Sequence, residues 1–81
     1  MSEETFRKRY YRLPRREIGY LRFILESYDG LAFMRTIDAG NGLVEIAWPP
    51  ARTVDVEPLL AALEGEAGMV EVPAPAVVEP L

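Results

Sequence analysis

At 81 residues and 9.1 kDa the chain has room for one small domain with a thin core. It holds no cysteine and no histidine, which excludes disulfides, thiolate metal sites, cysteine nucleophiles and the commonest acid–base catalyst. No apolar run reaches the ~18 residues of a membrane helix, and 49% apolar with 27% charged residues describes a globular chain.

The net charge of −4 is unevenly spread. Residues 1–22 carry seven of the nine basic residues against three acids, and residues 23–81 carry two against ten. Such a split suits self-complementary association, or an anionic partner for the basic end. The opening segment MSEETFRKRYYRL has no apolar signal-peptide region, so a cytoplasmic location is expected.

Residues 5–13 read as a first strand. Alternation turns Phe6, Lys8, Tyr10 and Arg12 one way and Arg7, Arg9, Tyr11 and Leu13 the other. Leu13 needs cover while Lys8 and Arg12 need water, so Tyr11 and Leu13 are expected inward. Pro14 ends the strand and suits a helix start. Over 15–28, Ile18, Leu21, Ile24, Leu25 and Tyr28 recur with helical spacing. Arg22 and Glu26 are spaced for an i,i+4 pair, and Tyr20 and Phe23 lie off the apolar stripe. Asp29-Gly30 marks the helix end.

Residues 31–38 and 43–48 are two further strands. Asn41-Gly42 between them is a tight-turn signal, so they form an antiparallel hairpin. Val44, Ile46 and Trp48 share one face of the third strand, and Glu45 marks the other as exposed. Pro49-Pro50 stiffens a connection to a second helix over 55–64. Asp55 is its expected N-cap, Pro58 confines the start to the preceding turn, and Gly65 is its expected stop. Val56, Leu59, Leu60 and Leu63 form its apolar stripe. Residues 69–72 suit a short fourth strand, paired within the chain or with a second one. The Pro-rich stretch 73–81 is expected to be a flexible tail.

This β-α-β-β-α-(β) order predicts an α+β, ferredoxin-like domain over residues 5–72. Its antiparallel sheet has strand order 4-1-3-2, with two helices on one face and the other face open. An open face carrying Phe6 and Tyr10 among Lys8 and Arg12 is expected to bind something. For so small a core a second copy of the same chain is the nearest candidate.

The run from Arg16 to Ala32, with YLRFILESYDGLA at its heart, resembles a family of short bacterial proteins classed as a domain of unknown function. Thr36-Ile37-Asp38, the hairpin glycine and Pro49-Pro50 follow at matching spacing. The resemblance spans about residues 6–65 and implies no catalytic residue. More distantly, the element order is similar to ACT-type regulatory domains, which bind small ligands and dimerise. Their ligand loop usually carries glycine between the first strand and first helix; here Leu13-Pro14-Arg15-Arg16-Glu17 carries none.

Site chemistry is sparse. Asp38-Ala39-Gly40-Asn41-Gly42 has Pro49 where a calcium loop needs its bidentate glutamate, and it reads as a turn. No phosphate-loop pattern accompanies the glycines. The two serines, Ser2 and Ser27, have no histidine to activate them, so no catalytic residue, cofactor or metal is expected. Glu17, Glu26 and Glu45 are expected as solvated surface charges. Arg15 and Arg16 oppose the dipole at a helix start, which an anionic metabolite bound there would offset. Phe6, Lys8, Tyr10, Arg12, Tyr20 and Phe23 are the expected partner-binding residues. The interleaved aromatics and cations of the first strand also fit single-stranded RNA. The missing RNP1 pattern and a pI near 4.7 oppose that reading. The expected function is a non-enzymatic module that self-associates as a dimer through the open face or an edge strand, and a protein partner is a further expectation. A small-ligand regulatory domain is the alternative.

Overall fold

The computed structural model describes residues 5–75. The chain runs β1 (Arg7–Arg12), α1 (Ile18–Glu26), β2 (Phe33–Asp38), β3 (Leu43–Trp48), α2 (Thr53–Ala67) and β4 (Val70–Val72). Short 3-10 turns at Arg15–Glu17 and Pro50–Arg52 lead into the helices. One sheet has the order β2-β3-β1-β4, antiparallel at every pairing. This is the expected α+β arrangement of the ferredoxin-like type. The fourth strand pairs within the chain, against Tyr10, Tyr11 and Arg12 of β1. The tail expected over 73–81 lies outside the described residues from 76 onward.

Both helices cover one face. Leu21 and Leu25 of α1 join Val56, Leu60, Leu63 and Ala67 of α2 over Tyr11, Val44, Ile46 and Trp48. Tyr11 and Leu13 are buried as expected. The Trp48 indole N–H donates to Thr53 Oγ1 at 3.0 Å, and that hydroxyl donates to the Pro50 carbonyl at 2.8 Å. The buried indole therefore has a partner, and the start of α2 is fixed to β3. Arg9 lies 5.5 Å from the Trp48 ring centre and 2.8 Å from Glu57, tying β1 to α2.

Several boundaries differ from expectation. α1 begins later and ends earlier than 15–28, and Tyr28 sits exposed past its end. Arg22 reaches Thr36 Oγ1 at 3.3 Å, across to the sheet. α2 starts at Thr53, so Asp55 lies inside the first turn and Pro58 in the second. The carbonyl that Pro58 cannot serve belongs to Val54, which is exposed and can use water. Gly65 is passed through, and α2 ends at Gly68, which takes the left-handed conformation with φ 68°.

The β2–β3 hairpin carries the decisive irregularity. Its turn is held by the Asp38 carboxylate, which accepts from the Asn41 backbone N–H at 3.2 Å and side-chain amide at 2.7 Å. Asp38 pairs with Leu43, but Thr36 pairs with Val44, so one extra residue of β2 bulges out between them. Beyond the bulge Phe33 pairs with Ala47 and Arg35 with Glu45. A regular ladder would have set Thr36 opposite Glu45 and turned Phe33 and Arg35 toward the helices.

Candidate functional site: the open sheet face

The face away from the helices gathers one row of polar side chains across three strands. Tyr10 of β1 and Arg35 of β2 flank Glu45 of β3. The Tyr10 hydroxyl donates to Glu45 Oε2 at 2.7 Å. Arg35 approaches the same carboxylate with Nε 3.2 Å from Oε1 and Nη2 3.4 Å from Oε2. These neighbours leave Glu45 only 6% exposed. The expectation of a solvated Glu45 is therefore overturned: cross-strand partners on both sides fold over it. Bonding to the carboxylate raises the Tyr10 phenol above its usual value, with desolvation adding to the effect.

One row along, Phe33 and Lys8 flank the small Ala47. The Phe33 ring stacks on Phe6 with centroids 5.9 Å apart and planes 30° apart. Both rings remain open to solvent, Phe33 at 53%. The part of this face that holds β2 is thus aromatic and close to neutral, because Arg35 and Glu45 pair, and Phe6 reaches it from the start of β1. The β1 side presents Lys8 and Arg12.

The expected partner-binding residues fall into two groups. Phe6, Lys8, Tyr10 and Arg12 share the open face. Tyr20 and Phe23 lie on α1, on the other side of the molecule. Tyr20 donates to Glu66 of α2 at 3.1 Å, which links the helices, while Phe23 is 68% exposed. Phe33 and Arg35 are the members that sequence reasoning missed, because the bulge decides which way β2 faces; Glu45 was expected on this face, but as a solvated charge.

Arg15 and Arg16 also part company. Arg16 is 82% exposed and lies 3.8 Å from Glu17. Arg15 borders a cleft at the end of the sheet together with Arg12. Among the described residues no group of carboxylates is gathered closely enough to hold a metal ion. Among them too, no helix is long and apolar enough to cross a membrane.

The fold and this face place the chain among small α+β domains with one uncovered sheet surface. The sequence profile of a family described as a domain of unknown function, DUF4911, matches residues 11–67, and the chain belongs to that family. The match takes in both helices and the β2–β3 hairpin. No curated protein and no solved structure matches the chain.

Proposed function

We propose that this chain is a non-enzymatic binding module that associates with a second copy of itself through the β2 side of the open sheet face. The observation that carries this reading is the exposed Phe6–Phe33 stack beside the Arg35–Glu45 pair. Exposed stacked rings on an uncovered sheet are surface that gains from burial. The neighbouring charges are paired and largely out of water before any partner arrives, so covering them adds little desolvation cost.

Charge favours this half of the face over the other. A symmetric contact sets each patch against its own copy. Centred on Lys8 and Arg12 it would oppose like charges; centred on Phe6 and Phe33 it opposes apolar rings. The same argument disfavours pairing through the free edge of β1. β4 covers only Tyr10, Tyr11 and Arg12, and the remaining edge carries Arg7, Lys8 and Arg9.

Light scattering over a range of protein concentration and salt tests the reading. The expected mass is twice that of the chain, persisting at high salt because the contact is apolar. Phe33→Glu is expected to give monomer with an unchanged far-UV circular dichroism spectrum, and Phe23→Glu, on α1 across the molecule, to leave the dimer intact. A parent protein that stays monomeric to millimolar concentration overturns it.

A further inference from the structure

The end of the sheet, where β1 leaves it, opens into a cleft of about 540 Å³, within the size range of small-molecule sites. Three separate stretches of chain build it. The exit of β1 gives Arg12, Leu13, Pro14 and Arg15. The hairpin turn gives Gly40 and Asn41. The α2–β4 junction gives Gly68, Val70 and Val72. Leu13 N–H donates to the Gly42 carbonyl at 3.0 Å, which locks the first two stretches together. Gly68 sits against the Pro14 ring with no side chain of its own, which keeps the third close.

The chemistry of the walls is one-sided. Leu13, Pro14, Val70 and Val72 supply apolar surface, and Arg12 and Arg15 supply two cations. Among the described residues no carboxylate lines the cleft. Among the described residues the ion pairs go to Arg9, Arg16 and Arg35, and neither Arg12 nor Arg15 joins one. Asp38 lies within electrostatic reach of Arg12 but is committed to Asn41 by two hydrogen bonds. Two guanidiniums beside an apolar wall are a matched pair of features: the first fits a carboxylate through paired N–H donors, the second a short hydrocarbon body.

We propose that this cleft binds a small organic carboxylate with a short apolar body, its anionic end held by Arg12 and Arg15. The site is independent of the dimer contact: Arg12 lies on the basic side of the sheet, away from Phe6 and Phe33. Arg16, the neighbour that helix-start reasoning pairs with Arg15, takes no part.

Backbone amide chemical shifts of the isotopically labelled full chain test the site. The probes are 4-methylvalerate, its neutral amide 4-methylvaleramide, inorganic phosphate and oligo-uridine. With 4-methylvalerate, saturable shifts are expected at residues 12, 13 and 15, at 40–42 and at 68–72. The amide and phosphate are each expected to bind at least about tenfold more weakly, since each lacks one of the two features. Arg12→Gln and Arg15→Gln are expected to weaken 4-methylvalerate by about tenfold or more, and Arg16→Gln to leave it unchanged. Equal binding of the amide or of phosphate overturns the proposal, as does an Arg16→Gln loss matching that of Arg15→Gln. Absence of saturable shifts overturns it too. Tighter binding of oligo-uridine, with shifts spreading along Lys8 and Tyr10, would make this a nucleic-acid surface and also overturn it.

Discussion

Removing the Glu45 carboxylate takes away the charge that the Arg35 guanidinium, itself only 22% exposed, meets on β3. Breaking a largely buried pair from one side costs more than the pair contributes, because the remaining charge stays desolvated. Glu45→Ala is therefore expected to lower stability by about 2–4 kcal/mol in urea unfolding. Tyr10→Phe deletes one hydrogen bond to that carboxylate and is expected to cost about 1–2 kcal/mol. If both variants unfold like the parent, the row is surface decoration.

Tyr11 behaves differently. Its ring is fully buried, and its hydroxyl has no hydrogen-bond partner. Arg9 lies beside the hydroxyl but outside hydrogen-bond geometry, and burial dominates, raising the Tyr11 phenol above its usual value near 10. The unfolded chain then releases this proton before the folded one does. Stability is expected to fall as pH rises above about 10 and to stop falling once the folded phenol ionises. Tyr11→Phe should flatten this alkaline loss in part, because Tyr10 and Tyr20 are raised too. At neutral pH it should change stability by less than about 1 kcal/mol, since no hydrogen bond is lost.

At the scale of elements, the order and type of every helix and strand were legible from residues 5 to 72. Hydrophobic period, Pro14, Asn41-Gly42 and Pro49-Pro50 are local signals, and they survive into the fold. What was not legible follows from tertiary contact. Gly65 looked like a stop because glycine is a poor helix former. The helix continues past it to bury Ala67, and ends at Gly68 where the chain must turn into β4. The face of β2 was hidden for a sharper reason. A single bulged residue reverses every side chain beyond it, and nothing in the alternation of Phe33, Met34, Arg35 and Thr36 announces one.

Two glycines separate local from non-local strain. Both Gly42 and Gly68 are left-handed, with φ 67° and 68°. At Gly68 an added Cβ meets the Pro14 ring at ordinary contact distance, so Gly68→Ala is expected to cost about 1–2 kcal/mol for the backbone alone. At Gly42 the same Cβ would overlap the Leu13 carbonyl oxygen, where β1 leaves the sheet beside the hairpin. Gly42→Ala must pay the same backbone cost and also push the two segments apart, so about 3 kcal/mol or more is expected. Thermal or urea unfolding orders the two variants, and equal costs would show that the hairpin yields freely at this contact.

For the whole molecule, the size of the core makes association part of stability. A chain of this length buries a modest share of its surface, and the open face leaves Phe6 and Phe33 out of that core. If two copies cover those rings, unfolding must also separate them, and the thermal midpoint becomes dependent on concentration. A tenfold rise in protein concentration is expected to raise the midpoint by about 3–6 °C for a domain of this size. Phe33→Glu should abolish that dependence while retaining the fold, since Phe33 lies outside the buried core cluster. Phe6→Glu should do the same from the other ring of the stack. Phe23→Glu should preserve the dependence, because that exposed residue lies on α1, away from the sheet face. A midpoint that ignores concentration in the parent would leave the aromatic corner open in solution and remove the dimer as its occupant.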